Sequence, residues 1–373
     1  MKLPDWWRRE RHAQEGKGRP AGTNRQSGLK ETNQWIGDPS GQLQQKSWQI
    51  GDPSEQVRKK GWRIGDPARK TGKVSQQTGD LGSESAADAW SAEGSRAANE
   101  AAPPAIQLIG AACTYDEVQA VQPLNWTVRR GEFWAVLGPN GSGKSSLLGL
   151  VSGSERPSAG EVRLDGRPLA DYSRRELARR LAVLPQEGLP PLGITVRDAL
   201  EMGRFPYRDR FGREQNPAAA EELLARIAGR LELTVLLPRR LDELSGGQRQ
   251  RAALGQVMAQ QPGILLLDEP TAYLDVYYQL DVMELVREWH AEEGLTVVAV
   301  LHDLNLAAQY AQQLLLLREG QCEAEGTPET VLTPGRVGAL YGVAPPVIVR
   351  REEIGAPQLL FRAGERRSTD SGK

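Results

Sequence analysis

The stretch FWAVLGPNGSGKSSLL, residues 133–148, is the most informative part of the sequence. Five apolar residues typical of a buried strand lead into a glycine-rich turn, and a helix is predicted to begin near Lys144. Gly138, Gly143, Lys144 and Ser145 match the phosphate-loop pattern. The glycines let consecutive backbone N–H groups face an anion, and the helix directs the positive end of its dipole to the same place. The stretch therefore predicts a site for a nucleoside triphosphate.

The side chains around this loop supply the predicted contacts. We expect Lys144 to reach the β- and γ-phosphates and the Ser145 hydroxyl to ligate Mg²⁺. Tyr115 precedes the loop by about twenty residues, where its ring could stack on adenine. The alternative, a glycine turn without a ligand, is disfavoured by the strand and helix that flank the motif. The predicted ATP-binding residues are Tyr115, Gly138, Pro139, Asn140, Gly141, Ser142, Gly143, Lys144, Ser145 and Ser146.

Composition limits the other functions that the chain could have. Its 373 residues allow one large domain with an appendage, or two domains. The net charge of −1 gives no overall positive field, so we expect no nucleic-acid partner. Cys113 and Cys322 are far apart in no metal-ligand spacing, which fits a reducing compartment. No apolar run approaches the length of a membrane span, and MKLPDWWRRERH lacks the apolar stretch of a signal peptide. We expect any membrane role to be carried out through a partner.

Residues 1–104 differ in composition from the rest. Residues 1–105 contain only nine Leu, Ile, Val and Phe residues, too few to bury a core. The sequence Ile-Gly-Asp-Pro recurs at 36–39, 50–53 and 64–67, with a period of fourteen residues. One interpretation is a Trp-punctuated basic tract that touches a membrane or partner. The composition favours the other, a disordered extension produced by repeat expansion or by translation from upstream of the native start.

The remaining residues, 105–373, are predicted to form one α/β domain with a mostly parallel core sheet. Residues 106–128 predict two short antiparallel strands broken near Asp116. Ser173 is expected to cap a short helix that ends at Arg180. Residues 195–260 are mostly helical and form an inserted subdomain, and residues 346–373 form a last strand pair with a polar tail.

Polar residues follow three of the apolar strands. Gln186 follows LAVLP, Asp268 and Glu269 follow ILLL, and His302 follows LTVVAVL. In a parallel sheet these strand ends form the edge where ligands bind. We expect Asp268 to hold Mg²⁺ through water, Glu269 to activate the attacking water, and His302 to hydrogen-bond the γ-phosphate. Each also has an ordinary interpretation: a solvated loop residue, a pair of helix caps, and a satisfied histidine.

A second glycine-rich helix start lies at LSGGQ, which comprises Leu244, Ser245, Gly246, Gly247 and Gln248. Helix N-termini of this kind bind phosphate. Two in one chain are redundant unless one of them serves the nucleotide of another molecule.

Together these motifs resemble the ATP-binding subunits of ABC transporters over about residues 106–345. Tyr115 is similar to the adenine-stacking aromatic residue of that family. GPNGSGKSS resembles Walker A, LSGGQ the signature, and ILLLD with Glu269 Walker B and its catalytic glutamate. Gln186 is at the Q-loop position, Asp275 in the D-loop AYLD, and His302 at the switch position. GKSS replaces the commoner GKST and AYLD the commoner SALD, but the hydroxyl of Ser146 and the carboxylate of Asp275 are retained.

The resemblance implies a P-loop NTPase fold and a shared mechanism. Two copies would dock head-to-tail as a homodimer, with each ATP between Walker A of one chain and the signature of the other. Ser245 and Gly247 would contact the γ-phosphate across the interface. The resemblance also implies a set of catalytic residues, Glu269, His302 and Gln186, and a set of Mg²⁺ ligands, Ser145, Gln186 and Asp268, the last through water.

The family partners implied are an integral-membrane permease and, indirectly, an extracytoplasmic substrate-binding protein. The ATPase would then lie peripherally on the cytoplasmic face of the membrane. LAVLPQ, VRDALEMGRFPY, HDLNLAAQYA and VLTPGRVGALYGV resemble the importers of iron–siderophore, haem and cobalamin. Ferric siderophore is our first expectation for the cargo, with haem and cobalamin as alternatives. An ABC ATPase of DNA repair or translation, an exporter ATPase and a simple nucleotide-binding switch or kinase fit the motifs less well.

Overall fold

The computed structural model describes residues 103–350 and 355–361. The predicted extension and its repeats therefore lie outside the described residues, apart from 103 and 104, as does most of the predicted polar tail. Within the described ranges the strands are β1 Ile106–Tyr115, β2 Val118–Val128, β3 Phe133–Leu137, β4 Ala159–Leu164, β5 Arg167–Pro168, β6 Leu181–Leu184, β7 Ile264–Asp268, β8 Thr296–Val300, β9 Gln313–Arg318, β10 Gln321–Gly326, β11 Val347–Arg350 and β12 Pro357–Leu360. The α-helices are α1 Lys144–Ser152, α2 Arg174–Arg180, α3 Val196–Met202, α4 Pro217–Arg230, α5 Gly246–Ala259, α6 Val276–Glu293, α7 Leu304–Tyr310, α8 Pro328–Val331 and α9 Pro334–Tyr341.

A six-stranded sheet in the order β10-β9-β3-β8-β7-β6 carries the site. All its pairings are parallel except that of β10 with β9. Every residue of β3 and β8 is buried, as expected for strands covered on both faces, which read as continuous apolar runs. The carboxyl ends of β3, β6, β7 and β8 lie at one edge. The phosphate loop, Gln186, Glu269 and His302 follow these four strands, so the topology places them together.

The second sheet is antiparallel, in the order β2-β1-β4-β5. The two strands predicted around Asp116 are confirmed, but they are long, at 10 and 11 residues. Several register shifts interrupt their pairing between Leu108 and Thr114. The break that the sequence shows near Asp116 is the turn between the two strands. Trp126 of β2 packs edge-to-face on Trp134 of β3, with ring centroids 5.4 Å apart. This contact joins the two sheets. Tyr115, the last residue of β1, lines the same cleft as the phosphate loop.

Residues 195–260 contain α3, α4 and α5, so the inserted segment is helical as predicted. Each helix begins at a side-chain cap: Thr195 for α3, Asn216 for α4 and Ser245 for α5. A Cβ at Gly203 would overlap the carbonyl oxygen of Gln256, so glycine is needed where α3 ends against α5. The exact limits of this helical subdomain stay a prediction.

Two shorter predictions also hold in the structure. Ser173 is the N-cap of α2, and it forms a complete capping box with Glu176. β11 and β12 make the antiparallel pair expected near the end of the chain. Asn305 of α7 holds this pair, because Leu359 N donates to Asn305 Oδ1 at 2.7 Å and Asn305 Nδ2 donates to Leu359 O at 3.3 Å.

Candidate nucleotide-binding site

The phosphate loop takes a backbone path that requires glycine. Gly138, Gly141 and Gly143 have φ of 156°, 78° and 97°, a region that side-chain-bearing residues rarely adopt. A Cβ at Gly138 would overlap the carbonyl oxygen of Leu317, and one at Gly143 that of Ala120. α1 begins immediately after Gly143, so its N-terminal N–H groups lie at the loop. The loop is therefore an anion-binding concavity closed at the back by neighbouring strands.

Lys144 is only 6% exposed although it carries a charge. Its Nζ donates to the carbonyl oxygens of Gly138 at 2.9 Å and Pro139 at 3.0 Å. Burial lowers the pKa of Lys144, while the nearby carboxylates of Glu269 and Asp268 act in the opposite direction. The ammonium group is thus held inside the loop, within the field of the two acids that follow β7.

Two strand-end side chains converge on the carboxylate of a third, Glu269. Gln186 Nε2 donates to Glu269 Oε2 at 2.6 Å, and His302 Nε2 lies 2.5 Å from Glu269 Oε1. The Glu269 side chain is 16% exposed, whereas that of His302 is 46% exposed. Glu269 also has φ of 47°, the left-handed region, which is uncommon for a residue with a side chain. The structure therefore brings together the three residues predicted to be catalytic.

Asp268 provides the observation that bears on a metal. Its Oδ1 is buried, and no hydrogen-bond partner for it lies among the described residues. Burial, followed by the charge of Glu269, raises the pKa of Asp268. A buried carboxylate oxygen without a donor fits a cation or a cation-bound water. The described part of the chain contains no cluster of three or more His, Cys, Asp or Glu residues with metal-site geometry, so a cation here would also need hydroxyl, amide or phosphate oxygens.

One open cleft of about 590 Å³ unites most of the predicted residues. Tyr115 lies at one side of it, and burial raises the pKa of its hydroxyl to about 12. Gly138, Pro139 and Ser142 shape the loop from behind and do not line the cleft. The lining residues are Tyr115, Ala120, Asn140, Gly141, Gly143, Lys144, Ser145, Ser146, Gln186, Glu269, Tyr273 and His302.

Sequence reasoning missed two lining residues, Ala120 and Tyr273. Ala120 lines the cleft only because β2 runs beside the phosphate loop. This is a tertiary contact without a local sequence signal. Tyr273 is 93% exposed and has φ of 61°. The sequence signal for Tyr273 was its position in the D-loop AYLD, where the commoner sequence SALD has a small residue.

The signature residues do not line the cleft of their own chain. Ser245 caps α5: Gln248 N donates to its Oγ at 3.3 Å, and Ser245 N donates to Gln248 Oε1 at 3.1 Å. Ser245 and Gly246 are exposed, while Leu244 and Gly247 are buried. Asp275 of the D-loop caps α6 in the same way, accepting from Tyr278 N at 3.0 Å. The start of α5 is thus an exposed helix N-terminus, separate from the cleft.

Comparison with known proteins identifies the family. The family model described as "ABC transporter" matches residues 121–272. The chain is 40% identical over 229 residues to the ferric enterobactin transport ATP-binding protein FepC of Escherichia coli (strain K12), covering 61% of this chain and 84% of that protein. It is 42% identical over 251 residues to the hemin import ATP-binding protein HmuV of Pseudomonas entomophila (strain L48), covering 65% and 94%.

A solved structure matches the fold. It is the dimeric structure of a post-hydrolysis state of the ATP-binding cassette MJ0796 bound to ADP and Pi, with a TM-score of 0.52 and 29% identity, covering 60% of this chain and 98% of that one. In the residues that the structure describes, no helix has the length and apolar character needed to cross a bilayer. The chain belongs to the ATP-binding proteins of ABC transporters and is an ATP-hydrolysing enzyme with the P-loop fold of that family.

Proposed function

We propose that this chain is the ATPase subunit of an importer that powers uptake of ferric siderophore through a separate membrane permease. The observation that carries the enzymatic part is the convergence of Gln186 and His302 on Glu269, at the edge of a cleft that the phosphate loop also lines. Relatives named for ferric enterobactin, siderophore and petrobactin import, each 40% identical, support the cargo class.

Different residues of the cleft would bind the adenine, hold the phosphates and activate the attacking water. Tyr115 stacks on adenine, and the N–H groups of the loop with Lys144 hold the phosphates. Glu269 accepts the proton of the attacking water, and the His302 imidazole, already hydrogen-bonded to Glu269, orients that carboxylate and contacts the γ-phosphate. The left-handed backbone of Glu269 fixes the direction in which its side chain enters the cleft.

Mg²⁺ would be held by Ser145 and Gln186, with Asp268 acting through water. The buried, unpartnered Oδ1 of Asp268 fits this arrangement. When bound, the ion would neutralise charge on the β- and γ-phosphate oxygens. Gln186 would then serve both the ion and Glu269, which makes its segment sensitive to the state of the nucleotide.

The exposed signature supports a head-to-tail homodimer. Ser245 and Gly246 face solvent at the start of the 14-residue α5, yet they do not line their own cleft. In the dimer they would complete the site of the partner chain, with Ser245 and Gly247 at its γ-phosphate. A dimeric structure in the same family supports this arrangement. The D-loop with Asp275 would lie at the same interface.

The partners and location follow from this role. The ATPase would bind an integral-membrane permease at the cytoplasmic face of the membrane, and an extracytoplasmic substrate-binding protein would deliver the cargo. We assign residues 1–104 as an extension and 105–373 as the ATPase domain. Haem is a second candidate cargo, because hemin import proteins 42% and 44% identical to the chain are among its relatives.

Uptake of radioactive iron from ferric siderophore tests the proposal, in cells that carry the wild-type chain or Glu269→Gln. We expect uptake to collapse in the variant while expression and membrane association persist. Parallel assays with haem and cobalamin separate the cargoes. Unchanged siderophore uptake with a loss of haem or cobalamin uptake would show that the cargo is wrong, and unchanged uptake of all three would contradict the importer role.

A further inference from the structure

The first turns of the signature helix α5 are fastened to the segment that runs from Glu269 to α6. Gln250 of α5 is buried, and its Nε2 donates to Pro270 O at 3.0 Å. Pro270 follows Glu269 directly, so this bond joins the signature helix to the backbone beside the proposed base. A movement of the Glu269 segment would therefore act on α5.

Tyr278 in the first turn of α6 makes the second connection. A Cβ at Gly247 would lie 2.7 Å from two ring atoms of Tyr278, so the ring covers the signature backbone directly. The backbone N–H of Tyr278 donates to Asp275 Oδ1, which ties the same residue to the D-loop. The ring thus fills the space between the signature and the D-loop, and it requires glycine at position 247.

Arg251 makes the third and strongest connection. Its side chain is 12% exposed, and its Nε donates to Asp281 Oδ2 at 2.9 Å on α6. A second nitrogen donates to Glu232 Oε2 at 2.7 Å, and the guanidinium lies 6.0 Å from the centre of the Tyr278 ring. Charge-assisted bonds in a partly buried site are directional and stronger than pairs on the open surface. Asp281 lies one turn after Tyr278, so both contacts hold the same face of α6 against α5.

We propose that Arg251, together with Tyr278, is a positioning residue for ATP hydrolysis. Arg251 holds the signature helix α5 against α6, the helix that follows the D-loop. This contact fixes the position from which Ser245 and Gly247 would contact the nucleotide of the partner chain. Because the neighbouring Gln250 bonds to Pro270 O, the helix held by this contact links the ATP site of one chain to the signature that serves the other site. This inference rests on the head-to-tail arrangement proposed above.

The chain provides a matched control in Arg230 of α4. Its side chain is 23% exposed and pairs with Glu288 at 3.4 Å and Glu292 at 2.5 Å, both near the end of α6. Arg230 therefore joins the inserted helices to α6 through ion pairs of the same kind, far along α6 from the signature. Arg251→Gln and Arg230→Gln remove comparable charges, but only the first acts on the signature.

The test compares the two variants in the full chain. Steady-state ATPase assays give kcat and KM, a fluorescent ATP analogue reports nucleotide binding by the isolated chain, and ATP-induced dimerisation is measured in the Glu269→Gln background. We expect Arg251→Gln to lower kcat about tenfold while monomer nucleotide affinity changes less than about twofold. Arg230→Gln should stay within about twofold of wild type in both. The charge-exchanged pair Arg251→Asp with Asp281→Arg should recover most of kcat, since the exposed Glu232 can turn away.

Equal kcat values for Arg251→Gln and Arg230→Gln would overturn the positioning role, as would a parallel loss of monomer nucleotide binding. If Arg251→Gln does not fold, Arg251→Lys provides a second test. Lysine keeps the charge but cannot bond Asp281 and Glu232 through two separate guanidinium nitrogens, so kcat should fall by a smaller factor. Ser245→Arg in the Glu269→Gln background distinguishes a failure of the positioning role from a failure of the head-to-tail arrangement. If Ser245→Arg blocks dimerisation while Arg251→Gln leaves both dimerisation and kcat at wild-type values, only the positioning role fails. If Ser245→Arg does not block dimerisation, the head-to-tail arrangement fails.

Discussion

At residue scale, the proposed chemistry depends on how Glu269 is held. A left-handed backbone at a non-glycine residue costs of order 1–3 kcal/mol, and such strain is retained where the surrounding structure over-determines it. Here Glu269 N donates to Val300 O at 3.1 Å, while Gln186 and His302 hold the carboxylate. The side chain is thus aimed into the cleft.

Glu269→Gln tests the role of the carboxylate. The amide has the same size but cannot accept the proton of the attacking water, so we expect ATPase activity to fall by about 10²–10⁴ while ATP is still bound. Steady-state ATPase assays and nucleotide-binding titrations measure the two effects. Brisk turnover by the variant would remove Glu269 from its assigned role.

Lys144→Ala tests the other side of the cleft. Lys144 is the buried cation of the phosphate loop, so its loss should abolish productive ATP binding. The thermal midpoint should change much less than nucleotide affinity. Lys144 itself lines the open cleft, so water can enter the space that its side chain leaves and donate to the two carbonyl oxygens. Tight ATP binding by this variant would contradict the proposed phosphate site.

At the scale of elements, side-chain caps set where the helices start. The capping box at α2 pairs Ser173 Oγ with Glu176 N at 3.2 Å and Glu176 Oε2 with Ser173 N at 2.8 Å. Ser173→Ala should lower the free energy of unfolding by about 1 kcal/mol, whereas Ser173→Gly should cost only a few tenths, because glycine leaves the helix end open to water. Chemical denaturation measures both. Equal losses in the two variants would contradict the capping account.

The same cap predicts a pH dependence. Its hydrogen bonds to Ser173 lower the pKa of Glu176 below the ordinary value of 4.5. Since the folded-state pKa is depressed, this stability is present above 4.5 and is lost as the pH falls through the folded value. The difference in unfolding free energy between wild type and Ser173→Ala should therefore be larger at pH 7 than at pH 3. A difference that grows on acidification would be inconsistent with this cap.

Local sequence signals predicted much of this architecture. The glycine spacing of the phosphate loop, the Ser173 cap and the apolar runs before Gln186, Glu269 and His302 are all short-range patterns. They were sufficient because the ends of parallel strands meet at one edge by topology. The left-handed backbone of Glu269, the place of Ala120 in the cleft and the contact of Tyr278 with Gly247 arise from packing between distant segments. No local pattern encodes them.

At the scale of the whole molecule, the N-terminal composition predicts that residues 1–104 are not needed for catalysis. A segment so poor in Leu, Ile, Val and Phe is not expected to contribute a core. A chain that starts at Ala105 should keep its kcat and KM for ATP, and complementation of transport in cells should be unchanged. A clear loss of either activity on deletion would support the alternative, in which the Trp-containing repeats contact a membrane or partner.

The division of each ATP site between two copies of the chain is the central claim at this scale. It is tested by sedimentation of the Glu269→Gln variant with and without ATP, using Lys144→Ala as the control that should not bind. We predict a monomer without nucleotide, a dimer with ATP, and a monomer in both conditions for the control. A Glu269→Gln chain that stays monomeric when saturated with ATP would contradict the account.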